Sequence, residues 1–180
     1  MGDEISIWAE PKPGFKWPVA VTGHIHASAD TLWKTISEHE NLERCHPFVA
    51  KNPVISWPGP DSRDEVHYLS GWVFERRFLQ WFEGIGYDLE IGERGGPQSF
   101  VSWRIFPGDE NNSELRIAVY PHVLQNIPVA IRWLPHLARV RPLLTSYLDS
   151  VLMGIDWYIT RGEPVPRNQF GSHQWFSAST

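Results

Sequence analysis

Two periodicities divide the chain. From Pro142 to Arg161, Leu144, Tyr147, Leu148, Val151, Ile155 and Tyr158 recur every three or four residues, while Ser146, Asp149, Ser150 and Asp156 occupy much of the remaining surface. That spacing puts the apolar set on one face of a helix. Pro142 suits the first turn, where its missing N–H removes no bond, and Gly162 followed by Pro164 suits the stop. At ~1.5 Å per residue, about 20 residues make a rod of roughly 30 Å, long enough to cross a small sheet. Such a face needs a surface to lie on, and the chain before it must supply one.

Upstream the period shortens to two. Val19, Val21, Gly23 and Ile25 share one side of a strand, and Ala20, Thr22, His24 and His26 the other. Ser28 offers an N-cap to a short helix over 29–38, with Asp30 in its first turn and Leu32, Trp33 and Ile36 facing inward. A second short helix or turn over Asn41–Pro47 and a strand over Pro53–Trp57 follow. After Pro58 come five strand-like runs, 64–70, 73–82, 87–91, 99–106 and 114–120, each junction carrying turn residues such as Gly71, Gly84 and Gly86, or Pro107 to Asn112. Such short connections make neighbouring strands antiparallel. The expected class is α+β: about seven antiparallel strands, two short helices after the first, and one long C-terminal helix.

Residues 1–16, with Pro11, Pro13 and Gly14, read as an irregular N-terminal arm, and 17–162 as one domain without an internal linker. Between the last strand and the long helix, Leu124 to Arg141 mixes apolar residues with Arg132, Arg139 and Arg141. Pro128 and Pro135 rule out a single helix there, so the stretch reads as a flap or short amphipathic helices over an opening. The tail, 163–180, carries Phe170, Trp175 and Phe176, aromatics expected to dock on the domain.

Composition sharpens this. Ten Trp, nine Phe and five Tyr in 180 residues suit a thick core or the wall of an apolar pocket. A net charge of −5 argues against a nucleic-acid partner. Cys45 stands alone, so no internal disulfide forms and a cytoplasmic setting is expected. The acidic start, lacking an apolar stretch, is not that of a signal peptide, and no run of apolar residues is long enough for stable membrane insertion.

Candidate chemistry is sparse. If Glu75 faces a cavity, Arg77, Leu79 and Trp81 face it too, and the carboxylate and guanidinium can grip a polar head; a one-residue slip turns that face to solvent. Tyr87 and Trp103 join this set from the next two strands. Tyr120 and His122 share a side with Arg116 and Ala118, opposite Leu115, Ile117 and Val119, which leaves pocket wall and outer surface open. On the long helix Tyr147, Val151 and Ile155 serve as core packing and cavity floor at once. His24 and His26 form the closest histidine pair but fall on the outer face with no Cys or His-Glu-x-x-His partner, so no metal is expected. His46, His67 and His136 read as structural or exposed. Cys45 beside His46 is a sequence neighbour, not a dyad, and no Gly-x-Ser-x-Gly elbow, dinucleotide fingerprint or P-loop occurs. No cofactor is implied.

The stretch from Ile25 to Trp33, the Phe74-Glu-Arg-Arg segment on a strand leading to Trp81, the long final helix and the aromatic tail from Asn168 to Phe176 together resemble the START-like (SRPBCC) superfamily. This superfamily includes the polyketide cyclase/dehydrase and lipid-transport group and the birch-pollen allergens. The resemblance spans residues 17–162. It implies a helix-grip fold, a curved sheet wrapped around the C-terminal helix with an apolar cavity between them. The group has no universal catalytic set, so the resemblance carries over a pocket and no mechanism. The function expected is binding of a hydrophobic small molecule, lipid-like or polycyclic, as carrier or sensor. Alternatives are a cyclase/dehydratase-type enzyme using the same cavity, and a partner-binding module. Oligomeric state stays open, a homodimer included.

Overall fold

The computed structural model describes residues 17–123, 127–128 and 130–178. The arm over 1–16 lies outside them, as do parts of the expected flap. Strand β1 (Val19–Ile25) leads into α1 (Ala29–Ile36) and α2 (Leu42–Cys45). Then come β2 (Val49–Lys51), β3 (Val54–Ser56), β4 (Arg63–Tyr68), β5 (Val73–Phe82), β6 (Gly86–Gly92), β7 (Gln98–Pro107) and β8 (Ser113–Tyr120). A helical turn α3 (Trp133–Pro135) passes through a wide π-turn at His136–Val140 into α4 (Arg141–Arg161).

The eight strands form one antiparallel sheet in the order β1-β8-β7-β6-β5-β4-β2, with β3 also paired to β4. The strand expected at 53–57 is β3, and a further short strand, β2, precedes it; each pairs with β4 across a break in register, between Val49 and Lys51 and between Val54 and Ser56. Hairpin connections keep β4 to β8 in sequence order, and β1 closes on β8, the last strand.

Local signals act as the sequence suggests. Ser28 Oγ accepts the Thr31 N–H at 3.2 Å and caps α1, whose Leu32, Trp33 and Ile36 are buried. Gly162 ends α4 at φ 68°, its N–H reaching the Tyr158 carbonyl at 2.9 Å. Pro135 does not chop the segment before α4. It lies in the first turn of α3, where its missing N–H has no partner to lose, and the backbone runs on into α4.

Helix α4 lies across the concave face and beside β1. Its Leu144, Leu148, Val151, Leu152 and Ile155 are buried among Ile25, Phe78, Leu89, Leu115 and Ile117. Close approach fixes its position: a Cβ on Gly154 would sit 2.3 Å from the Cys45 carbonyl oxygen, so only glycine lets α4 touch α2. At the edge, Asp156 accepts the His26 N–H at 2.8 Å and ties α4 to the start of α1. Among the described residues no helix is long and apolar enough to cross a membrane.

Candidate ligand-binding site

Between the sheet and α4 lies a cavity of about 380 Å³. Its sheet wall is Phe74 and Arg76 of β5, Leu89 and Ile91 of β6, Ser99, Val101 and Trp103 of β7, and Ile117 and Val119 of β8. These residues alternate along each strand, as one face of a pleated sheet must. Helix α4 adds Leu144, Tyr147, Leu148 and Val151, α2 with its cap adds Leu42 and His46, and the tail adds Trp175 and Phe176. Phe176 is held by tilted ring contacts with Tyr147 and Tyr68, centroids 4.4 and 4.5 Å apart. Trp72, Glu93, Pro97 and Val123 are exposed members of the wall and mark its rim.

Few polar groups interrupt this wall. Arg76 is buried and forked onto the buried Asp64, Nε to Oδ1 at 2.7 Å and Nη2 to Oδ2. Burial opposes the guanidinium charge, and the Asp64 carboxylate outweighs it, so the pKa of Arg76 rises above its ordinary value. His46 Nε2 meets Tyr147 Oη at 2.9 Å, and Tyr147 Oη meets Tyr68 Oη at 3.1 Å. Burial first, and the nearby Arg76 charge second, lower the His46 pKa to about 3. Burial raises Tyr68 to about 12 and Tyr147 well above its usual value. At the rim, Ser99 Oγ accepts the His122 backbone N–H at 3.1 Å and lies 2.8 Å from His122 Nδ1. Burial lowers the His122 pKa. Cys45 is buried, its thiol pushed up to about 12 by desolvation. No cluster of three or more His, Cys, Asp or Glu fit for a metal ion occurs among the described residues.

Solved structures of the same shape are distant in sequence. A START superfamily protein from Mycobacterium smegmatis superposes with a TM-score of 0.64 at 14% identity, over 80% of this chain and 97% of that one. The chain has a START-like fold. A di-domain ARO/CYC protein, BexL from the BE-7585A biosynthetic pathway, shares the START-like fold at TM-score 0.63 and 12% identity, over 79% of this chain and 47% of that one. Ara h 8.0201 does so at TM-score 0.60 and 15% identity, over 80% and 97%. No family model matches the sequence, and no curated protein does.

Within the START-like frame, Trp103, His122, Tyr147 and Val151 stand on the cavity wall. Seven other sequence candidates stand elsewhere. Glu75 and Arg77 point to the opposite face of the sheet, where Glu75 pairs with Arg94 at 3.0 Å and Arg77 is exposed. The pocket face of β5 is the other register, Phe74 and Arg76. Leu79 falls at a break in register between Phe78 and Gln80, and that break turns Trp81 into the core. Trp81 and the fully buried Tyr87 stack at 5.7 Å beyond the closed end of the cavity. Tyr120 packs on Phe100 on the far face, 5.8 Å between centroids, and Ile155 is buried below the cavity along α4.

Sequence reasoning missed Tyr68, Phe74 and Arg76, and it set His46 aside as structural. A signal for Arg76 was present. Asp64, Val66 and Tyr68 share one parity on β4, and Phe74 and Phe78 flank Arg76 with the same parity on β5, so a buried acid and a buried base face each other across one strand pair.

Proposed function

We propose that the protein binds a hydrophobic small molecule, lipid-like or polycyclic, in the cavity between the sheet and α4, as a carrier or sensor. The observation that carries this reading is the space itself. About 380 Å³ of interior, walled by aliphatic and aromatic side chains, remains unfilled between sheet and helix. That volume falls in the range of small-molecule sites, and burial of apolar ligand surface supplies ~25 cal/mol per Å². Of the residues singled out from sequence, Trp103, His122, Tyr147 and Val151 are the contacts we assign, together with Tyr68, Phe74, Arg76, Trp175 and Phe176. The domain then comprises 17–162, with the tail after it as part of the wall. The lone, buried Cys45 supports a cytoplasmic setting.

One observation favours a second reading, an acid–base enzyme of the cyclase/dehydratase kind. His122 is half-buried on the wall and its lowered pKa keeps the imidazole neutral, able to take a proton. His46 is a poorer base, because both ring nitrogens are already bonded.

Native mass spectrometry of the purified protein, followed by organic extraction and identification of what is released, tests the binding reading. A stoichiometric apolar adduct is expected. A molecule recovered chemically converted after incubation, with conversion lost in His122→Ala, would transfer support to the enzyme reading. A protein that takes up no apolar compound at all would sink both.

A further inference from the structure

Once their bonds to the protein are counted, the polar groups of the inner wall hold more free donors than free acceptors. The Phe48 backbone N–H donates to His46 Nδ1 at 3.2 Å. An N–H can only donate, so Nδ1 presents a lone pair and the neutral ring carries its proton on Nε2. Tyr147 Oη, 2.9 Å from Nε2, therefore accepts. The Tyr147 and Tyr68 hydroxyls are 3.1 Å apart. Whichever donates across that contact, the pair holds one O–H more than it has protein acceptors. Arg76 adds to the surplus. Its five N–H groups meet Asp64 through Nε and Nη2, and the Tyr87 hydroxyl beside it takes at most one more. Among the described residues no other protein acceptor reaches either group. The one acceptor-only side chain on the wall, Glu93, is exposed at the rim.

A buried donor left unmet is costly, so the cavity favours an occupant that meets it. Charge narrows the chemistry further. Asp64 already neutralises Arg76, and a ligand carboxylate would bring an uncompensated negative charge into a dry, apolar space. An ammonium would add donors to donors. A pure hydrocarbon would leave the surplus unmet.

We propose that the ligand carries an uncharged oxygen acceptor, a ketone, ester or quinone carbonyl, seated between Arg76 and the Tyr68–Tyr147 pair, with its apolar body along α4. This rests on the binding reading above and specifies the chemistry of its polar end. The proton positions that carry it follow from a backbone donor, so the surplus is a property of the fold and not of a side-chain rotor.

Three probes of one skeleton test this on the wild-type protein by equilibrium dialysis: 9-fluorenone, fluorene and fluorene-9-carboxylate. Fluorenone is expected to bind ~10-fold tighter than fluorene, the ratio one net hydrogen bond of about 1.4 kcal/mol supplies, and the carboxylate weakest. The infrared carbonyl stretch of bound fluorenone is expected below that of the ketone in alkane. Equal affinity of ketone and hydrocarbon with an unshifted stretch overturns the acceptor assignment and leaves the binding reading standing. A carboxylate that binds tightest overturns the requirement for an uncharged acceptor. No uptake of any of the three, with no co-purifying molecule, overturns the binding reading and this inference with it.

Discussion

Around α1, Trp33, Trp57, Phe78, Trp81 and Tyr87 interlock edge to face, with centroids 5.0 Å apart for Trp57–Phe78 and Phe78–Tyr87 and 5.4 Å for Trp33–Trp81 and Trp57–Trp81. Around α2 and the tail, Tyr68, Phe74, Tyr147 and Phe176 also stand ring to ring, yet they enclose space. Both regions are aromatic; only one is full. In the first, α1 and the segment after β3 push large rings onto the sheet. In the second, the facing side chains are the shorter Leu144, Leu148 and Val151 of α4 with Ile117 and Val119 of β8. Trp103 belongs to both regions, its ring tilted against Tyr87 at 5.4 Å and lining the cavity. An aromatic excess therefore does not separate core from pocket wall. What lies opposite each ring does.

The comparison is most exposed to the ion pair at the boundary. Asp64→Ala leaves Arg76 buried without its carboxylate and is expected to cost about 3–5 kcal/mol in urea unfolding. Asp64→Ala with Arg76→Met removes the charge altogether and is expected to recover most of that loss. If the double variant is as unstable as the single one, the pair is packing rather than charge compensation.

Paired truncations sharpen the contrast between the two ends. Phe78→Ala opens a void in a filled region, with a cost of about 3–5 kcal/mol. Phe74→Ala only widens a space that exists, so its cost is expected nearer 1–2 kcal/mol, chiefly lost transfer energy with little added cavity. Equal losses in the unfolding free energy would erase the distinction drawn between full and hollow.

Acid probes the hollow end through His46. The unfolded ring takes a proton near pH 6.5, while the folded one, desolvated and beside Arg76, does so only at about 3. Between those values the unfolded state binds more protons. Stability is then highest above pH 6.5 and falls by about 1.4 kcal/mol for each pH unit lost on this account. Burial lowers the pKa of His122, His136 and His173 as well, which steepens the total. Comparing urea midpoints of the wild type and His46→Gln from pH 7 to 4 isolates the His46 share. A variant that keeps the wild-type slope contradicts the lowered pKa of the buried His46.

Much of the architecture was legible because it rests on local rules. The 3.6-residue spacing of Leu144, Leu148, Val151 and Ile155, the Ser28 cap, the Gly162 stop and the alternation of β1 and β8 each follow from backbone geometry acting within a few residues. The site was less legible, because it depends on pairings across the sheet. In Phe74-Glu-Arg-Arg-Phe78 both parities contain an arginine, and the choice between Arg76 and Arg77 is made by Asp64, twelve residues away. The break in register at Phe78–Gln80 then moves Trp81 to the other side, which no periodicity reports. His46 reads as bland in sequence because its partner Tyr147 arrives 101 positions later.

The smallest effect on stability falls on the tail and separates fold from site most cleanly. Trp175 is half-buried, its ring centroid 6.0 and 6.3 Å from those of His173 and Phe176, and it contributes one face of the cavity. Trp175→Ala removes little packed core, so thermal unfolding is expected to shift by the equivalent of about 1 kcal/mol or less. A ligand seated against that ring loses an aromatic contact of ~0.5–1.5 kcal/mol together with the burial it shared, a several-fold weaker affinity for fluorenone. Trp33→Phe supplies the opposite pattern. It trims the filled end, lowering stability while leaving the affinity of the folded fraction unchanged. If Trp33→Phe weakens binding as much as Trp175→Ala does, the two ends are not independent, and the cavity is better understood as slack in one continuous core than as a site built apart from it.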